Sequence, residues 1–173
     1  MSMEKTRQEL LEEIRSNAYR YEQVYGNCPQ CVLASVMDAL GGFDDAVFKA
    51  SFTLAGGGGL SSKGTCGALA GGLMAIAARY GRDREHFDQK TYRPISLQGR
   101  KLLDRFVAEY GSPICGDVQT KIMGKSFDLT DSEQYHAFEL AGGHDDKCPS
   151  VVLNAAAWTA EILFEMEDAN KQG

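Results

Sequence analysis

The sequence predicts an all-α fold: a compact bundle of about six to seven helices carrying one glycine-rich loop. Three observations predict it. Apolar residues recur at three- and four-residue spacing along most of the chain, no stretch alternates as a strand does, and the periodic runs stop at glycines. A chain of 173 residues supports one full hydrophobic core, so a single domain over residues 1–173 is expected.

The elements follow in order. Leu10, Ile14, Ala18, Tyr21 and Tyr25 mark an amphipathic first helix over about residues 5–25. Val32, Leu33, Val36, Met37 and Leu40 mark a second, stopped by Gly41-Gly42. Asp44 and Asp45 open a third with Val47, Phe48, Phe52 and Leu54 as its apolar positions. The run Gly56–Gly59 must be a loop, because consecutive glycines lose too much backbone entropy in a helix. Thr65 is the expected cap of a fourth helix ending at Tyr80-Gly81, and Ser96 opens a fifth that ends before Gly111. Residues 112–147 are the least regular; within them Thr130 and Glu133 have capping-box spacing for a short helix that Gly142-Gly143 ends. Cys148-Pro149 opens the last helix, with Val151, Val152, Ala155, Thr159, Ile162, Leu163 and Met166 inward and a frayed tail from Asn170.

Composition narrows the function. The chain is 43% hydrophobic and 24% charged, with net charge −6 and a pI near 5.1, which argues against nucleic-acid binding and against adhesion to anionic lipid. The most apolar run, Cys66–Ala78, is too short to span a bilayer and reads as a buried helix. Met1–Lys5 carry no apolar signal core, so a cytoplasmic protein is expected.

Five cysteines are an odd number, so paired structural disulfides cannot use them all. Cys28 precedes Pro29 at a helix start, Cys31 completes a C-x-x-C, Cys66 follows Thr65 at another start, and Cys148 precedes Pro149 at a third. A helix N-terminus carries about half a positive charge and lowers a cysteine pKa. Thiolates there suit redox chemistry or metal ligation. Cys115 lies in a Ser-Pro-Ile-Cys-Gly loop, from which it can approach the others. A small-hydrophobe role in the core is the competing reading, above all for Cys31.

The set Asn27-Cys28-x-Gln30, Thr65-Cys66-Gly67-Ala68-Leu69-Ala70-Gly71, Cys115 and Cys148-Pro149 resembles the C_GCAxxG_C_C family of redox-active proteins, over about residues 17–166. The resemblance implies redox character and makes Cys28, Cys66, Cys115 and Cys148 the family's four cysteines. Cys31 is an additional thiol. The first helix and the segment 117–147 look longer than the family minimum.

Three readings stay open. A thiol-dependent oxidoreductase would use Cys28 as the attacking thiolate, Cys31 or Cys66 as its resolving partner, and Cys115 with Cys148 as a second pair or shuttle. An iron–sulfur cluster or other thiolate-bound metal is the alternative; zinc suits the single short-spaced pair poorly, and Val32 after the C-x-x-C argues against covalent haem. A non-catalytic redox-sensing subunit is the third. His86 and His136 read as surface or packing residues, whereas His144, four residues before Cys148, is a candidate ligand or proton donor. Gly59 and Gly64 have the separation of a phosphate loop, but Thr65 stands where its lysine belongs. Gly64, Thr65 and Gly67 remain candidates for holding a cofactor or small anion; Gly67 and Gly71 equally suit close helix packing. A redox partner and a homo-oligomer are the expected associations. Separating the classes needs substitution of Cys28 or Cys66 by serine, which removes turnover in an enzyme and only stability in a packing role.

Overall fold

The computed structural model describes residues 5–172. Met1–Glu4, on which the expectation of no export signal mostly rests, and Gly173 lie outside the described residues. Among the described residues there are eight α-helices: α1 (Arg7–Tyr25), α2 (Cys28–Leu40), α3 (Asp45–Ala50), α4 (Gly67–Tyr80), α5 (Arg93–Tyr110), α6 (Cys115–Met123), α7 (Ser132–Leu140) and α8 (Cys148–Gln172). Among the described residues there is no strand, and a single antiparallel bridge joins Thr65 to Ile114.

The long α8 is the axis. Its inward face, from Val151 through Met166, is buried as the periodicity requires, and α1, α2, α4 and α5 pack around it. Arg7 pairs with Asp168 at 2.6 Å, while Gln23 donates to the Asp145 carbonyl at 2.6 Å. The two ends of α1 therefore meet opposite ends of α8, and the helices run antiparallel. Ile14, Ala18, Leu33, Leu69, Leu102, Phe106 and Ile162 belong to one continuous core.

Local chemistry explains most boundaries. Thr6 caps α1 and Glu9 reaches back to close the capping box. Gly26 and Asn27 both adopt positive φ, and this tight corner turns α1 into α2. The glycines of α4 let helices touch: a Cβ on Gly71 would stand 2.6 Å from the Pro29 carbonyl oxygen, so α2 and α4 cross in backbone contact.

Several expectations need correcting. Tyr25 is exposed and Glu22 takes the inward position on the last turn of α1. Phe52 is exposed, in a short 3₁₀ turn after α3. Cys66 rather than Thr65 is the cap of α4, and α5 begins at Arg93, where Pro94 suits a helix start. Asp131 rather than Thr130 caps α7, accepting from the Glu133 and Gln134 amides. The irregular segment contains α6, which nine residues hardly reveal as a period. The tail does not fray: α8 continues to Gln172.

Candidate functional site

Four helix starts converge on one place. Cys28 is the first residue of α2, Cys66 caps α4, Cys115 opens α6 and Cys148 opens α8. Cys115 thus belongs to a helix after all. Cys28, Cys66, Cys115 and Cys148 all line a small cavity of about 20 Å³, completed by Ala68, Val118, Ile122, Val151 and Val152 together with Gln119. That volume holds about one water-sized guest. No disulfide is formed.

The glycine-rich loop builds this convergence. The Cys66 amide donates to the Pro113 carbonyl at 2.8 Å and the Cys115 amide to the Gly64 carbonyl at 2.9 Å, on either side of the Thr65–Ile114 bridge. Gly56, Gly57, Gly58 and Gly59 all have positive φ, the conformation that curls the loop under α6. A Cβ on Gly67 would stand 2.6 Å from Cys28 Sγ and 2.7 Å from Pro29 Cδ, so only glycine lets α4 start against Cys28. The contacts of Gly64, Thr65 and Gly67 hold three of the thiols in position, those of Cys115, Cys66 and Cys28. Behind Cys115, Gln119 donates to Ser62 Oγ at 3.1 Å and to Cys115 Sγ at 3.5 Å, and accepts from the Phe127 amide at 2.8 Å.

Cys31 stands apart. It faces away from the cavity, beside a cleft that Tyr21, Asn27 and Phe48 also line, and its thiol donates to the Gly26 carbonyl at 2.8 Å. Spacing alone cannot separate it from the four, because residues three apart in a helix share a face and Cys31 is one turn from Cys28.

Burial reverses the expected acidity. The Cys66 thiol is pushed up to about 12 by burial and by Cys115, although the Ala68 and Leu69 amides pull it back. Cys115 rises to about 11 through burial, against hydrogen bonds from Ser62 and Gln119. Cys28 and Cys148 go well above the usual thiol range, first through burial and then through the Glu22 charge. Cys31 is raised by burial and by Glu22. A helix N-terminus contributes about 0.3–1 kcal/mol, under about one pKa unit, whereas full desolvation shifts a group by up to about 3–5 units. Burial wins, and the thiols rest protonated.

The sequence reading missed Glu22. Its side chain is 2% exposed, its Oε2 has no hydrogen-bond partner, and burial raises its pKa against the influence of Cys31 and His144. It is the one carboxylate that bears on all five thiols. His144 lies on a π-helical turn, Gly143–Lys147, that leads straight into α8. Its Nε2 is 3.9 Å from Glu22 Oε1 and its Nδ1 is 2.6 Å from Glu139 Oε1. The signal was present: Glu22 continues the Ile14–Ala18 stripe by another four residues, an acid at a core register. His136 is exposed. His86 is also exposed; with Asp83 and Glu85 it forms a surface cluster of metal-ligating side chains that nothing else supports as a site.

Four thiols are a soft donor set suited to zinc or iron. As placed they do not fit a single tetrahedral ion: sulfurs bound at about 2.3 Å lie under about 4 Å apart, yet among the described residues no three come within 4.8 Å of each other. The cavity is also smaller than an iron–sulfur cluster.

An all-helical protein whose helix starts gather four cysteines around a buried cavity is the class that fold and site define. The family model described as "Putative redox-active protein (C_GCAxxG_C_C)" matches residues 26–162. The chain belongs to that family. No curated protein and no solved structure matches it. Among the described residues no helix is long and apolar enough to cross a membrane.

Proposed function

We propose that this protein is a thiol-dependent oxidoreductase in which pairs among Cys28, Cys66, Cys115 and Cys148 interconvert between dithiol and disulfide. One observation carries the reading: four thiols from four separate helix starts line one small cavity. Cys28 and Cys148 are only partly buried, whereas Cys66 and Cys115 are buried, which suits the first two to meet a low-molecular-weight disulfide and the second two to act as resolving thiols. Protonated, desolvated thiols react slowly, because the thiolate is the nucleophile. The reduced cluster is thereby guarded, and exchange proceeds when a proton is removed. The continuous core supports the chain acting as a single domain.

Anaerobic purification, metal analysis and stepwise titration with oxidised dithiothreitol test this. A colourless, metal-free protein that loses four of its five thiols in two pairs is expected. Stoichiometric iron with a visible band, stoichiometric zinc, or five unreactive thiols each overturns it.

A further inference from the structure

A thiolate formed inside the cavity needs a hydrogen-bond donor, because apart from the cysteines and Gln119 every side chain lining it is aliphatic. Gln119 supplies one. It is 2% exposed, and its Nε2 donates to Cys115 Sγ at 3.5 Å. Among the described residues no other cavity cysteine receives a side-chain hydrogen bond. The amide cannot be turned round: its Oε1 accepts from the Phe127 amide at 2.8 Å and from Ser126 Oγ at 3.4 Å, and a backbone N–H can only donate. The Ser62 hydroxyl donates to the Phe127 carbonyl at 2.6 Å, which leaves its oxygen to accept from Gln119 Nε2 at 3.1 Å. One N–H of Gln119 is thereby directed at Ser62 and the other at the sulfur.

The surrounding backbone is fitted to this amide. Ser62 holds a φ of 60°, a strained conformation for a residue with a Cβ. At Gly116 a Cβ would stand 2.8 Å from both the Ser62 carbonyl oxygen and Ser126 Oγ, so only glycine lets α6 start there.

We propose that Gln119 makes Cys115 the resolving thiol of the cluster, its N–H holding the negative charge that develops on Cys115 Sγ. This rests on the dithiol reading above and names which buried thiol closes the disulfide. With a low-molecular-weight disulfide RSSR as oxidant, the thiolate of Cys28 or Cys148 attacks one sulfur. Cys–S–S–R forms, and the expelled RS⁻ takes up the proton that cysteine lost. Cys115 then loses its proton, and its thiolate attacks the cysteine sulfur of the mixed disulfide. The bond from Cys115 to that cysteine forms, the bond to R breaks, and the second RS⁻ takes up the proton Cys115 released. Two electrons pass from the cysteine pair to RSSR, which leaves as two RSH.

The titratable groups that face Cys115 are the thiols of Cys28 from α2, Cys66 from α4 and Cys148 from α8, with the Glu22 charge acting from α1. On its own helix, Asp117 accepts from Ser112 at 2.6 Å. Each is neutral or negative, so none shares the work of Gln119. The acidities agree in direction: burial pushes Cys115 up to about 11 and Cys66 to about 12.

The test mixes reduced protein with 2-hydroxyethyl disulfide near about pH 8, quenches in acid, and follows the mixed and intramolecular disulfides by mass spectrometry. The wild type is expected to close a disulfide that contains Cys115. Q119M, similar in shape but without an N–H, is expected to form the mixed disulfide normally and to close it about tenfold more slowly. A hydrogen bond to a charged group lowers a pKa by about one to two units, and the less basic thiolate loses about half of that gain in nucleophilicity. Q119E keeps the shape and the acceptor for Phe127 but sets a carboxylate beside the sulfur, and is expected to be slower still. An amide that only supports the fold predicts the reverse order, Q119E near wild type and Q119M slower; that order overturns the proposal, as does wild-type closure by Q119M. If neither variant folds, S62G decides, since glycine adopts this φ freely. It frees the N–H that Ser62 orients, and closure at the wild-type rate overturns the proposal. A wild type that closes a disulfide without Cys115 overturns it and leaves the dithiol reading standing. One that closes no disulfide overturns both.

Discussion

A cysteine at a helix N-terminus feels two opposed influences, and here their sizes decide its state. The helix end favours thiolate by about 0.3–1 kcal/mol; removal from water favours thiol by more. Cys66 and Cys115 end up near 12 and near 11. Serine in place of any of the four cavity cysteines is expected to remove one oxidisable pair, whereas C31S should lower the thiol count by one and leave paired oxidation intact; a thiol titration of each variant checks this. Glu22 is the second case. Its folded pKa is raised above the usual 4.5, so the stability it contributes is fully present at lower pH and is lost as pH rises through the raised value, at about 1.4 kcal/mol per pH unit across that window. E22Q is expected to abolish that loss and to be the more stable protein at neutral pH, read as a higher urea midpoint there and an equal one in acid.

Between elements, glycine sets the distances. Gly67 and Gly71 allow α4 to lie against Cys28 and Pro29, and a methyl group at either position has no room. G67A and G71A are each expected to cost about 1–3 kcal/mol through overpacking. G67A should also disturb paired oxidation, because its new methyl pushes directly on Cys28 Sγ. Urea unfolding read beside a thiol titration separates the two effects. The Thr65–Ile114 bridge does for Cys66 and Cys115 what Gly67 does for Cys28: it joins two segments far apart in sequence so that two helices start side by side.

For the whole molecule, several buried thiols with raised pKa values predict a stability profile. The unfolded chain ionises its cysteines near the usual 9, while Cys66 and Cys115 stay protonated in the fold to about 12 and about 11. The contribution of these thiols is therefore full below pH 9 and is lost as pH rises through that window, by about 1.4 kcal/mol per pH unit for each such thiol. C66S is expected to make that alkaline decline shallower by one proton's worth, measured as the pH dependence of the urea midpoint in reduced protein.

The helices, their stops and the four chemical residues were legible because each rests on local rules. The i, i+3, i+4 stripe of α8 and the proline after Cys28 and Cys148 act within a few residues. Glu22 was less legible, since a polar residue in an apolar stripe reads as a break in the pattern until its surroundings are known. α6 is too short to show a period, so local spacing alone places Cys115 in a loop. The amino-acid sequence by itself determined an all-α chain with cysteines at helix starts, because periodicity and capping are short-range. Only the tertiary structure decided which thiols share a cavity, that Cys31 does not, that burial overrides the helix ends, and that a buried Glu22 faces His144. Desolvation and long-range contact depend on what the rest of the fold brings near.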